Sequence, residues 1–293
     1  MPFPALLVAG LLLAASPVDP GYSQALAAWR AERHQRLASD NGWFTVVGLN
    51  FLSEGENPLG SDPKASVPLP AGTVPPMAGV FVLEKGVVRL RAAADSGITL
   101  NGKAVPEAPL KSDADGKADV LRAGRASFFV IRRGERFAIR VKDPESQALK
   151  DFKGVDSFPA HPEFRVTATF QPYPQPKTVN IPTVLGTTEP MRAPGVVHFK
   201  LGGRALTLQP VQEEGPDGQL FFIFSDRTSG KETYPAGRFL YADPPKDGKV
   251  ALDFNKAVNP PCAFTPFATC PLPPEQNRLK VRIPAGEKTY GQH

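Results

Sequence analysis

Between Asp253 and Leu279 the chain reads D-F-N-K-A-V-N-P-P-C-A-F-T-P-F-A-T-C-P-L-P-P-E-Q-N-R-L, and here it concentrates the side chains best suited to chemistry. The stretch holds both cysteines, Cys262 and Cys270, with Asp253, Asn255, Asn259, Thr265 and Asn277. Asp226, Tyr234 and Arg238 lie just before it and Glu287 just after. Amides beside a guanidinium and carboxylates can grip a polar or anionic small ligand, and arginine adds a bidentate fork. On that reading Tyr234, Arg238, Asn255, Asn259, Thr265 and Asn277 bind the ligand. Carboxylates can also move protons, which makes Asp253 or Glu287 the candidate general base of a hydrolase. A third reading is a structural envelope protein without a ligand, in which these groups only satisfy the backbone of an irregular loop.

Six prolines in the same stretch withhold the backbone donors that a helix or central strand needs, so the segment must be a loop stiffened by its rings. Cysteines eight positions apart close a small ring, and a disulfide between Cys262 and Cys270 would add about 2.5 kcal/mol in the chain-entropy view. Structural zinc wants four ligands, and no further cysteine or nearby histidine supplies them. A cysteine nucleophile activated by a base needs a histidine in a recognisable setting, which His34, His161, His198 and His293 do not offer. The chain has no G-x-S-x-G elbow, no glycine-rich phosphate loop before a helix and no calcium-loop spacing. No metal and no cofactor are expected.

Charge bears on partners. The net charge is +5, and residues 84–150 carry the whole excess. A nucleic-acid binder would spread its positive charge along a helix or interleave it with exposed aromatics, so an anionic small molecule is preferred to nucleic acid. Residues 1–16, M-P-F-P-A-L-L-V-A-G-L-L-L-A-A-S, have the length of a secretory apolar run and are too short to span a bilayer as a helix. The expectation is an export signal, a periplasmic or secreted protein with no membrane span in the mature chain, and an oxidising compartment for the cysteines.

The elements that must position these residues read as mostly β. Pro 33 and Gly 26, without a repeat, point to many turns between short strands. The one convincing helix runs from Tyr22 to Ala38 with Ser23 as its N-cap, within an N-terminal segment 17–41, and places His34 in solvent. A first β lobe spans 42–150. There Gly134-Glu135 closes a hairpin with Phe128, Val130, Phe137, Ile139 and Val141 on one face and Arg133, Arg136 and Arg140 on the other, a cluster that could hold a phosphate or carboxylate but is read as a solvated basic face. Glu54–Gly60 reads as a turn. A second lobe, 151–293, begins at F-R-V-T-A-T-F, turns at the prolines of 172–176, closes a hairpin at Gly202-Gly203 and carries the cysteine loop at its end. Two sandwich-like or barrel-like lobes follow. The piece from Ile98 to Val141 is loosely similar to the forkhead-associated sandwich, without that fold's phosphopeptide-reading loops, so only the sandwich is implied.

T-S-G-K-E-T-Y-P-A-G-R-F-L, the cysteine loop itself and I-P-A-G-E-K resemble the family catalogued as domain of unknown function 1684. W-R-A-E-R-H-Q-R-L with G-W-F-T-V-V-G-L-N-F-L is similar to its N-terminal signature. The resemblance implies importance for Tyr234, Gly237, Arg238, Asp253, Asn255, Asn259, Cys262, Thr265, Cys270, Asn277 and Glu287, and it implies no activity. Val258 departs from the aromatic residue expected there.

Overall fold

The computed structural model describes residues 19–212 and 218–291; the apolar run at 1–16 and His293 lie outside them. The helix α1 (Pro20–Leu37) begins two residues earlier than expected, because Asp19 rather than Ser23 caps it. The Asp19 carboxylate accepts the Tyr22 N–H at 2.7 Å, and Pro20 occupies the first turn, where a missing N–H is harmless. Ser23 sits inside the helix and donates its hydroxyl to the Asp19 carbonyl. Leu26 and Leu37 are buried, with Trp29 and Arg33 half-buried along the same stripe. His34 is not a solvated residue: its Nε2 accepts the Val155 N–H at 3.2 Å and its ring meets Phe152 edge-on, tying the helix to the chain between the lobes.

The first lobe holds β1 (Val46–Phe51), β2 (Gly55–Gly60), β3 (Val67–Pro68), β4 (Gly79–Glu84), β5 (Val87–Ala92), β6 (Thr99–Leu100), β7 (Lys103–Ala104), β8 (Glu107–Leu110), β9 (Val120–Ala123), β10 (Ala126–Arg133) and β11 (Arg136–Lys142). They form one sheet in the order β1-β11-β10-β9-β6-β7 and another in the order β3-β2-β4-β5-β8. Phe81, Leu83 and Leu90 of the second sheet pack on Phe128, Val130, Ile139 and Val141 of the first, which is the core of a sandwich. The expected turn at Glu54–Gly60 is instead β2, paired antiparallel with β4 from Gly55 opposite Leu83. About Gly134-Glu135, Phe128 faces Val141 and Val130 faces Ile139, in the register the alternation predicts.

Past α2 (Gln147–Asp151) come β12 (Arg165–Pro182), β13 (Thr188–Leu201), β14 (Arg204–Leu208), β15 (Leu220–Phe224), β16 (Arg238–Ala242) and β17 (Lys249–Asp253). Four of them make the sheet β14-β13-β12-β17, and β15 pairs with β16. The prolines of 172–176 do not turn the chain. Extended backbone suits their fixed φ, so β12 runs through them and only the pairing with β13 lapses between Pro172 and Lys177. The tip of this hairpin braces the cysteine loop, where the Val184 N–H donates to the Cys270 carbonyl at 3.0 Å.

β15 is buried on both faces. Leu220, Phe222 and Phe224 enter the core of the second lobe. Phe221 and Ile223 turn the other way and meet Phe239, Val258 and Cys270. Val197 opposite Leu208 and Phe199 opposite Leu206 close the Gly202-Gly203 hairpin, leaving His198 outward against Thr207.

Candidate functional site

The polar residues singled out in the sequence occur as separate internal networks and do not share one hollow. Asp253 ends β17 and caps a single turn, Phe254–Lys256, so Asp253 and Asn255 are not two positions on one strand face. The Asp253 carboxylate accepts the Tyr22 hydroxyl at 2.9 Å, the Asn255 N–H at 3.2 Å and the Asn255 Nδ2 at 3.1 Å. Asn255 also brackets His161, accepting its N–H and donating to its carbonyl, each at 3.0 Å. Burial and the Asp253 carboxylate push the Tyr22 hydroxyl pKa up.

Arg238 is fully buried. It donates to Asp226 and to the Ile283 carbonyl, each at 3.0 Å, and to the Ala285 carbonyl. Burial lowers its pKa and Asp226 opposes that. Asp226 also accepts the Thr228 N–H at 2.8 Å, in the side-chain-capped turn that runs to Ser229. Asn277 accepts the Gln209 N–H at 2.8 Å and donates to the carbonyls of Gln209 and Ile223. Thr265 donates to the Val46 carbonyl at 3.0 Å and Tyr234 to the Cys262 carbonyl at 3.0 Å. Glu287 takes a bidentate pair from Arg33 and accepts the Asn259 N–H at 2.6 Å. These groups close backbone positions that a proline-rich loop leaves without ladder partners. Cys262 and Cys270 are free cysteines rather than the expected disulfide, with the Cys262 N–H donating to the Cys270 Sγ at 3.1 Å.

What does open beside the cysteine loop is a cavity of about 590 Å³ between the two lobes. Its walls include Arg33 of α1, Trp43, Arg133 and Arg140 of the β10–β11 hairpin, Tyr241 of β16, and Asn259 and Cys270 of the loop. Three of its charges are accounted for. Arg33 is matched by Glu287, and Arg133 lies 2.8 Å from Asp113 and 3.7 Å from Glu189, itself a wall residue. Arg140 is different. Its surface is 6 % exposed, and its Nε and Nη2 have no hydrogen-bond partner among the described residues.

The Arg140 guanidinium stands over the Trp43 ring at 5.2 Å. Burial, followed by repulsion from Arg133, pushes its pKa down to about 10. A buried cation whose nitrogens are not hydrogen-bonded is costly, and an incoming anion would relieve that cost. Asn259 adds an acceptor: Nδ2 donates to the Lys288 carbonyl at 2.7 Å, and Oδ1 is buried with no hydrogen-bond partner among the described residues. The arginine face of the hairpin is therefore solvated only in part. Arg136 is exposed over the Phe51 ring, whereas the second lobe covers Arg140. Arg33 and Trp43 were not among the expected ligand residues, and Arg140 was weighed as an anion holder on the hairpin's basic face but read as solvated.

A second cavity, about 780 Å³, shares Arg33, Tyr241 and Val258 with the first and reaches Asp253 and Arg165. Val258, in place of the expected aromatic, forms a bridge to Phe239 and borders both.

Residues 150–288 match the family model described as Protein of unknown function (DUF1684). Over this segment the chain belongs to the DUF1684 family. The DUF1684 segment contains the second lobe and the cysteine loop, while Arg33, Trp43, Arg133 and Arg140 lie before it. The helix and first-strand stretches that resembled the family's N-terminal signature also lie before it. A solution structure of an uncharacterized protein from Haloarcula marismortui is similar at 34% identity over 49% of this chain and 80% of that one, with a TM-score of 0.42. Two solved forkhead-associated structures are similar at 23% and 24% identity. One is an FhaA domain complexed with the intracellular domain of another protein, the other comes from work on phosphothreonine-dependent interactions. They cover 32% and 33% of this chain, and 97% and 96% of their own, with TM-scores of 0.23 and 0.24. No curated protein matches the chain. Among the described residues no helix is long and apolar enough to cross a membrane, and no three His, Cys, Asp or Glu side chains converge as a metal site would require.

Proposed function

We propose that this DUF1684 protein is an exported binding protein for a small organic anion, held in the inter-lobe cavity with its carboxylate or phosphate on Arg140. The observation that carries the reading is the buried guanidinium whose Nε and Nη2 lack hydrogen-bond partners among the described residues. Two adjacent donors on one planar fork suit two oxygens of one anionic group. Trp43, Phe221, Phe239 and Tyr241 supply an apolar, aromatic wall for the body of the ligand, and Asn259 Oδ1 accepts from an O–H or N–H on it. The cavity volume suits a molecule of metabolite size. The apolar run at 1–16 is what supports export.

Thermal shift with inorganic phosphate, benzoate and phenyl phosphate tests the reading. The aromatic anions should stabilise the protein more than inorganic phosphate does, and Arg140→Met should abolish both effects. Equal stabilisation of the variant would remove Arg140 from the site.

A further inference from the structure

Cys270 borders the anion cavity but binding an anion there uses neither sulfur, and the geometry of the pair differs from that of an inert crosslink. Cys270 is 4% exposed and borders the inter-lobe cavity, whereas Cys262 is half-buried and the more exposed of the two. The Cys262 N–H points at the Cys270 Sγ from 3.1 Å, so the second sulfur is held against the residue that carries the first. Position is imposed from both sides. The Val184 N–H holds the Cys270 carbonyl at 3.0 Å and the Tyr234 hydroxyl holds the Cys262 carbonyl at 3.0 Å. Pro260 and Pro261 stiffen the approach to Cys262, and Pro271 follows Cys270.

We propose that Cys262 and Cys270 form a thiol–disulfide exchange site for small organic disulfides, with Cys262 as the attacking sulfur and Cys270 as the resolving one. The Cys262 thiolate attacks one sulfur of the small disulfide. A mixed disulfide forms, and the other half leaves as a thiolate that takes up a proton. Cys270 then loses its proton and attacks the Cys262 sulfur, which releases the second half as a thiol and leaves an internal disulfide. Two thiols on the protein are oxidised and one disulfide is reduced to two thiols, so no further oxidant enters.

The environment separates the roles of the two sulfurs. A hydrogen bond from the Cys270 thiol holds the Cys262 pKa below its ordinary value, against burial, with help from the Tyr234 hydroxyl. The same contact, then burial, pushes Cys270 up. An outer sulfur that ionises readily and an inner one that stays protonated are the arrangement exchange requires. No histidine is needed, because hydrogen bonds rather than a base favour the thiolate.

Reduced full-length protein, pulse-labelled with iodoacetamide between pH 5 and 9 and mapped by mass spectrometry, tests this without any variant. Cys262 should label at least about ten-fold faster than Cys270, with its half-maximal rate below the pH of an ordinary thiol. With oxidised glutathione, the wild type should pass to an internal disulfide that reduced glutathione reopens in the native state. Cys270→Ser should accumulate one glutathione on Cys262, and Cys262→Ser none, with circular dichroism reporting that each variant is folded. Equal labelling of the two sulfurs, or an internal disulfide that excess reduced glutathione leaves intact, would overturn the proposal in favour of an inert crosslink. A folded Cys270→Ser protein that takes up no glutathione would overturn it as well.

Discussion

Arg140→Met should make the protein more stable while destroying its response to anions. The guanidinium is brought down from its ordinary pKa to about 10 in the folded chain, with burial as the largest cause. At about 1.4 kcal/mol per factor of ten, that gap corresponds to a penalty of about 3 kcal/mol for keeping the charge in place. Methionine keeps much of the side-chain stem but loses the contact over Trp43, which offsets about 1–2 kcal/mol. The net gain is about 1–2 kcal/mol, or a melting temperature higher by about 2–6 °C. The sign of the pH dependence follows from the lowered pKa. Below pH 10 folded and unfolded chains both hold the proton and the penalty is fully present. Between about pH 10 and the ordinary arginine pKa the unfolded chain binds more protons, so wild-type stability gains from this group as pH rises, and the variant lacks that gain. An anion at a hundred times its Kd should stabilise the wild type by about 2.7 kcal/mol and the variant not at all. Differential scanning calorimetry with and without phenyl phosphate measures both effects. A variant that melts lower, or that is still stabilised by the anion, would refute the reasoning.

Other residues should behave as structural parts. Arg238→Ala leaves Asp226 buried without its partner and opens a void, and should cost about 3–5 kcal/mol in a urea melt. Glu287→Gln breaks the pair with Arg33 and loosens the Asn259 N–H contact; a loss of about 2–4 kcal/mol, with faster hydrogen exchange in α1, is expected. Gly286 has φ +76°, and a Cβ there would lie 2.4 Å from the Ala257 carbonyl oxygen and 2.8 Å from that of Phe254. Gly286→Ala should therefore cost at least about 2 kcal/mol of stability, read as a lower urea midpoint, since neither backbone oxygen can move aside cheaply.

Much of the fold was legible locally. Alternation of apolar and polar residues marks both faces of the β10–β11 hairpin, and Gly134-Glu135 and Gly202-Gly203 mark its turn and that of β13–β14. Such signals act over a few residues, where the period of the strand decides which side chains share a face. The proline stretch at 172–176 misled because proline signals both turns and extended chain, and only pairing with β13 distinguishes them. Ser23 looked like a cap until Asp19 and Pro20 took the position.

The site divides in the same way. Chain order by itself determined that 253–279 is a rigid loop with two sulfurs near each other, because proline rings and short spacing leave little choice. Which polar groups are used up and which are left open was decided only by tertiary structure. Asp253, Asn255 and Asn277 look available in the sequence but meet partners at Tyr22, His161 and Gln209, far away along the chain. Arg140 looks like a solvated surface residue until the second lobe covers it and leaves its Nε and Nη2 without a partner among the described residues. Hydrogen-bond satisfaction and desolvation are properties of what surrounds an atom in space, and the partners that set them come from segments 68 to 231 residues apart.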